Sequence, residues 1–301
     1  MNTDRGCGCK AWRSCLLCET ELGLPPNPAV TVRPRPASAV WNYCPEPDDC
    51  CNAETGERTE FPGLVLLQDW ITGQEEAELV AGLDRLPWHT SQSGRRKQNF
   101  GPRANFKKRK AKVGAFAGFP AATRFIQQRF ATVAGLEDYK TVEQCSIEYT
   151  PDTGAAIEPH IDDCWIWGER IVQLNLLSDA VLTLTPYSGD WGVQYNLGDV
   201  NYPRPNLPGH HPGGGASFTP GCSTSRLARE EGVVVRVPLP ARSLLIMFGS
   251  ARYEWEHSVQ RSDITGRRLV LAYRELTPPF LPGGEWAGLG AEILQQAGRW
   301  W

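Results

Sequence analysis

The chain has 301 residues, enough for one large catalytic domain with or without a small appendage. Apolar residues make up 41% of it, so a sizeable core can form, and 30 Gly with 24 Pro favour a turn-rich all-β or α+β fold. A formal net charge of −3 argues against a surface that binds polyanions as a whole, so any basic footprint must be local.

Residues 1–10 are polar, charged and Cys-containing. They carry no apolar h-region, so no secretory signal is expected, and no stretch approaches the roughly 18 apolar residues of a membrane span. Cys7, Cys9, Cys15, Cys18, Cys44, Cys50 and Cys51 all precede residue 52. In a reducing compartment, clustered thiols bind metal more often than they form disulfides. The Cys7-x-Cys9 and Cys15-x-x-Cys18 pairs point to zinc or another thiophilic metal; the alternative is an unstructured, oxidisable tail. The stretch from Leu24 to Pro47 is Pro-rich and weakly patterned. Residues 1–60 therefore read as a separate Cys-rich, metal-binding appendage, with a catalytic domain at 61–280 and a C-terminal tail at 281–301.

Gly63 to Leu67 reads as a strand. Thr72 with Glu75 forms a capping box for a helix carrying Leu79, Val80, Leu83 and Leu86, which Pro87 stops. A second helix is expected from Pro120, with Phe125, Ile126, Phe130 and Val133 as its apolar stripe and Gly135 as its C-cap. From Val142 the signal turns to β. Strands are expected at 142–150, 170–177, 181–185, 233–238, 243–248, 253–259 and 268–275, with a long Pro/Gly-rich loop at 203–232. Helices followed by strands in series predict an α+β fold whose core is a double-stranded β-helix, the distorted jelly roll.

His160-Ile161-Asp162 is a His-x-carboxylate pair, and in extended chain residues two apart share a face. His257 follows a strand-like segment and supplies a third ligand. Two His and one carboxylate leave open positions on the ion, the facial arrangement of non-haem Fe(II) oxygenases. A lone His-x-Asp is more often a surface hydrogen-bonded pair. Context favours the metal, because the chain has five His in all and two fall in its β-rich half at these places. Arg268 lies eleven residues beyond His257, and Arg274 six further on. On one face of a strand, an inward guanidinium needs a carboxylate partner, which 2-oxoglutarate would supply. A pair of solvent-facing arginines is the alternative.

Tyr149, His160-x-Asp162, His257, Arg268 and Arg274, in that order, resemble the AlkB family of 2-oxoglutarate oxygenases. Gln98-Asn99-Phe100-Gly101 with Phe106 resembles the family's substrate lid. The stretch from His160 to Arg170 is most similar to the fourth AlkB homologue group. The resemblance implies a jelly-roll dioxygenase with iron on His160, Asp162 and His257. It further implies the distal carboxylate of 2-oxoglutarate on Arg268, a hydrogen bond to 2-oxoglutarate from Tyr149, and Arg274 near Asp162 and the cosubstrate. Its chemistry is oxidative N-demethylation coupled to decarboxylation of 2-oxoglutarate. Ile147, Val270 and Ala272 stand where the family often has polar residues, which puts DNA-repair activity in doubt.

Arg95 to Lys112 holds nine basic residues and no acidic one. It reads as a phosphate-tracking flap, a dock for an acidic protein, a nuclear localisation run or a solvated loop. Trp165, Trp167 and Trp255 beside the ligands would cage a methyl-lysine, stack a base or pack a core. His210 and His211 read as loop residues. The resemblance implies a protein substrate, methyl-lysine on actin, acting on actomyosin in cytoplasm and nucleus. A demethylase of N6-methyladenine in DNA and a non-catalytic interaction module are the alternatives.

Overall fold

A computed structural model describes residues 6–10, 13–31, 36–46, 48–189, 195–199, 226–230 and 232–301. The expected loop at 203–232, with His210 and His211, lies outside them apart from 226–230 and 232. The early strands are β1 (Val40–Cys44), β2 (Asp49–Asn52), β3 (Arg58–Glu60), β4 (Leu64–Leu67), β5 (His89–Thr90), β6 (Arg96–Phe100), β7 (Arg103–Asn105) and β8 (Lys110–Lys112). There follow β9 (Glu143–Tyr149), β10 (Ile157–His160), β11 (Trp167–Leu176), β12 (Ala180–Pro186), β13 (Val234–Leu239), β14 (Leu244–Met247), β15 (Trp255–Val259) and β16 (Arg268–Leu276). The α-helices are α1 (Leu16–Leu22), α2 (Gly73–Asp84), α3 (Arg124–Arg129), α4 (Gly249–Tyr253) and α5 (Ala287–Ala297).

Two seven-stranded sheets face each other, ordered β10-β15-β12-β13-β1-β2-β3 and β4-β14-β11-β16-β9-β6-β5. Every pairing is antiparallel except β1 with β13. Their inner faces share one core that includes Trp41, Leu182, Val235, Met247, Trp255 and Val270. The outer face of the second sheet is covered by α2 and α3. Leu79, Leu83, Ile126 and Phe130 pack there on Val172, Leu174, Leu269, Leu271 and Tyr273. β11 is therefore buried at all ten positions, because both its faces are covered. This is the jelly roll with flanking helices that the order of elements predicts.

The capping box forms as expected. Thr72 N–H donates to Glu75 Oε2 at 2.8 Å, and Glu75 N–H donates to Thr72 Oγ1 at 3.2 Å. The second helix is more broken than the apolar stripe predicts. A 3-10 turn at Ala121–Thr123 precedes α3 and another at Phe130–Thr132 follows it, so Gly135 sits in the next turn and not at a cap. The segment before Phe61 does not stand apart. β1 extends the first sheet against β13, and Trp41, Tyr43 and Cys50 sit in the shared core. β1 alternates buried and exposed positions, a pattern the surrounding prolines obscure.

Residues 281–301 are no loose tail either. α5 docks Ile293 into the core, and Phe119 exchanges backbone hydrogen bonds with Arg299 and Trp301. The docking is tight at Gly290, where an added Cβ would lie 1.7 Å from the Phe280 carbonyl oxygen. Gly290→Ala should thus lower stability by about 1–3 kcal/mol, because the helix has to move off Phe280. At Gly288, in the same helix, the added methyl meets open space, and Gly288→Ala should raise stability by up to about 1 kcal/mol. Chemical denaturation of the two variants checks this; equal shifts would mean that α5 is not seated as described.

Candidate active site

β10 and β15 are antiparallel neighbours, and their register places His160 directly opposite His257. The two rings lie 4.2 Å apart, centroid to centroid. His160 Nδ1 is 2.8 Å from the Glu158 carbonyl oxygen. A carbonyl only accepts, so Nδ1 carries the proton and Nε2 keeps its lone pair. Burial lowers the pKa of both imidazoles, and for His257 the neighbouring His160 adds to it. Both rings are therefore held neutral, the form that binds a metal.

Asp162 follows two residues after His160, where the chain leaves the sheet, and its side chain is buried. Oδ1 accepts a hydrogen bond from Arg274 at 2.8 Å, while Oδ2 is buried with no hydrogen-bond partner among the described residues. Burial opposes its ionisation, but Arg274, His257 and His160 outweigh burial and hold the carboxyl below the usual carboxylate range. Two neutral imidazoles and one ionised oxygen without a hydrogen-bond partner form a donor set that fits divalent iron.

Arg268, Val270, Ala272 and Arg274 share the inward face of β16, since Leu269, Leu271 and Tyr273 point to the helices. Arg268 is 1% exposed. Its Nε donates to Asn175 Oδ1 at 2.6 Å, and its centre lies 4.9 Å over the Tyr149 ring. The other two guanidinium nitrogens are buried without a hydrogen bond among the described residues. Burial lowers its pKa, as expected for a cation short of a counter-charge. A buried fork with two orphaned donors fits one carboxylate of a dicarboxylic acid. Arg274, the more exposed of the two, donates to Glu143 at 2.6 Å as well as to Asp162, so its charge is met within the protein.

A cavity of about 430 Å³ opens at His160 and Asp162. It is lined by His160, Asp162, Asp163, Trp167 and the buried Glu158, together with Arg13, Arg95, Phe106 and Tyr195. Burial lifts the Asp163 carboxyl to about 6, against the Asn196 amide that donates to it. Trp165 and Trp255 instead pack inward, on Phe280 and Phe61 respectively. The basic run becomes β6 and the β7–β8 hairpin. Arg96 pairs with Glu148 at 2.6 Å, and the exposed Lys107, Lys108, Arg109 and Lys110 lie at the hairpin tip next to Phe106.

Four polar residues of the site escaped the sequence reading: Asn175, Glu143, Glu158 and Arg13. Asn175 had a signal, as the one amide deep in the apolar run after Gln173. Glu143 is the cross-strand partner of Arg274 and needed the register. Glu158 and Arg13 needed the fold. Of the seven cysteines before residue 52, the fold brings Cys7, Cys9, Cys15 and Cys18 together, with one ligand atom of each within 4.8 Å of the others. Cys50 is in the core, and Cys44 and Cys51 lie on the β1–β2 hairpin.

The chain is 39% identical over 295 residues to the mouse alpha-ketoglutarate-dependent dioxygenase alkB homolog 4, a match over 97% of this chain and 93% of that protein. It is 40% identical over 301 residues to the human protein of the same name, with the same shares covered. A Caenorhabditis elegans DNA N6-methyl adenine demethylase is 29% identical over 323 residues, 98% of this chain and 95% of the relative. No family model matches the chain.

Proposed function

The chain belongs to the AlkB family of 2-oxoglutarate-dependent dioxygenases, in the group of the fourth homologue, and from that we propose that it removes N-methyl groups from methyl-lysine on a protein. In this reading His160, Asp162 and His257 hold the iron, while Arg268 and Tyr149 hold the distal carboxylate of 2-oxoglutarate. Bound iron, 2-oxoglutarate and oxygen supply the oxidising power that hydroxylates the methyl carbon, which leaves as formaldehyde.

The residues around the iron ligands do the positioning. Glu158 fixes the ring of His160 through its carbonyl. Arg274 fixes Asp162 by one oxygen and leaves the other available. The apolar faces of Val270 and Ile147 keep water from the cosubstrate. The observation that carries the choice of substrate is the composition of the cavity, whose lining combines the carboxylates Glu158 and Asp163 with the rings of Phe106, Trp167 and Tyr195, beside the cations Arg13 and Arg95. Carboxylates and aromatic faces suit a methylated ammonium. The basic hairpin beside the mouth suits an acidic protein surface. Actin, the substrate implied by resemblance to the fourth homologue group, is the first protein to assay, with cytoplasm and nucleus as the expected compartments.

A second reading is a DNA N6-methyladenine demethylase. It is favoured by the same basic hairpin and by the activity in the name of the worm relative. Succinate and formaldehyde release, measured on methyl-lysine peptides and on methylated oligonucleotides, separates the two. The peptides should turn over, and they should still do so when Lys107, Lys108, Arg109 and Lys110 are replaced by Gln, because a short peptide need not reach the hairpin. If the hairpin instead tracks a phosphate backbone, the log–log salt slope of oligonucleotide binding should fall by up to about four in that variant. Oligonucleotide turnover lost in the Gln variant, with no peptide turnover in either chain, would install the second reading.

A further inference from the structure

The Cys cluster lies outside the site described above, but its surroundings lead into it. We propose that Cys7, Cys9, Cys15 and Cys18 bind one zinc ion in a closed tetrahedral site, and that this ion braces the mouth of the catalytic cavity.

The geometry of the sulfurs is that of a mononuclear site. Sγ of Cys7 and Cys18 are 3.3 Å apart, Sγ of Cys15 and Cys18 are 3.9 Å apart, and all four fall within 4.8 Å of one another. Tetrahedral zinc with Zn–S bonds of about 2.3 Å places its sulfurs roughly 3.8 Å apart. A cubane cluster holds its thiolates farther apart than these four sit. Cys15 and Cys18 are buried, Cys7 and Cys9 half-buried, and all four are free thiols.

The cluster is built into the cavity wall at several points. Gly8 N–H donates to the Ser91 carbonyl at 3.0 Å, and Leu16 N–H to the Thr153 carbonyl at 3.0 Å. Gly94, at φ +73°, passes so near that a Cβ on it would lie 3.1 Å from Cys15 Cβ and 2.7 Å from the Thr153 oxygen. Between the two cysteine pairs, Arg13 reaches the Gln92 side chain and lies 3.8 Å from the Glu158 carboxylate. Ser93 also donates to Glu158. Glu158, 4% exposed, is the residue whose carbonyl fixes His160. A continuous path thus runs from the thiolates through residues 91–95 to Glu158 and an iron ligand.

The full-length chain, purified without added metal, should carry about one zinc by mass spectrometry of the elements. Iron removal with a mild chelator should leave it, and an organomercurial should release it. Cobalt in its place should give thiolate-to-metal charge transfer and the visible bands of a tetrahedral ion. His257→Ala should retain the zinc. Cys15→Ser with Cys18→Ser should lose it, and should show faster hydrogen exchange at residues 91–95 and 150–154. Zinc far below one per chain, an iron–sulfur chromophore or octahedral cobalt bands would overturn the site, and these readings on the unaltered chain stand even if the double variant fails to fold. Loss of zinc with unchanged exchange at 91–95 would overturn the brace.

Discussion

Alanine at His160, Asp162 or His257 should each reduce turnover to background and strip iron from the purified protein, while the chain stays folded. Each side chain has a separate reason. His160 offers Nε2 because Glu158 occupies Nδ1. His257 faces it across the strand pair. Asp162 supplies the anionic oxygen, and losing that charge removes the group that offsets metal binding beside Arg274. Two ligands do not define a facial site, so the expected loss is complete and not graded. Asp162→Ala differs from the histidine variants in one respect. It leaves Arg274 with Glu143 as its remaining carboxylate partner, so it should also be the least stable of the three, and Asp162→Asn separates the charge from the packing. Iron content, circular dichroism and succinate release under controlled chelation measure all of this. Wild-type turnover in any one of the three would remove that residue from the metal site.

The site was legible in the sequence where its chemistry rests on residue type and short spacing. His160-x-Asp162 and the Arg268–Arg274 pair could be read as facing one way, because strand alternation is set by the backbone alone. What stayed hidden depends on pairing between distant strands. Glu143 faces Arg274 because β9 runs against β16 in one register, and no local pattern encodes that register. The appendage reading failed for the same reason. β1 and β2 are short and interrupted by turns, so residues 40–52 look like loop until β13, nearly 200 positions later, offers a partner. The C-terminal helix was passed over because α5 contains Gly288 and Gly290, two poor helix formers, of which tight docking on Phe280 explains Gly290. The helix cap, by contrast, needs four consecutive residues and was read correctly.

Arg268→Ala should weaken 2-oxoglutarate binding by about 2–5 kcal/mol, or roughly 30- to 5000-fold, the usual cost of removing one member of a buried charge pair. The structure holds the guanidinium in one orientation. Asn175 fixes Nε at 2.6 Å, the guanidinium lies over the Tyr149 ring, and the two outer nitrogens have no hydrogen bond among the described residues. Because that cation is buried with one hydrogen bond among the described residues, its removal relieves desolvation while leaving a cavity. The melting temperature without ligand should therefore change little. The difference should appear on adding 2-oxoglutarate, which raises the melting temperature of the wild type by linkage and should leave the variant unmoved at the same concentration. Arg268→Lys should recover only part of the affinity, since an ammonium keeps the charge but not the planar fork and cannot hold both Asn175 and two carboxylate oxygens. Asn175→Leu should fall between the two, because the guanidinium remains but is free to rotate. Titration of 2-oxoglutarate into the iron-free protein loaded with a redox-inert divalent metal reads each constant without turnover. If Arg268→Ala binds as the wild type does, the distal carboxylate lies elsewhere, and the orphaned nitrogens of Arg268 would need another partner.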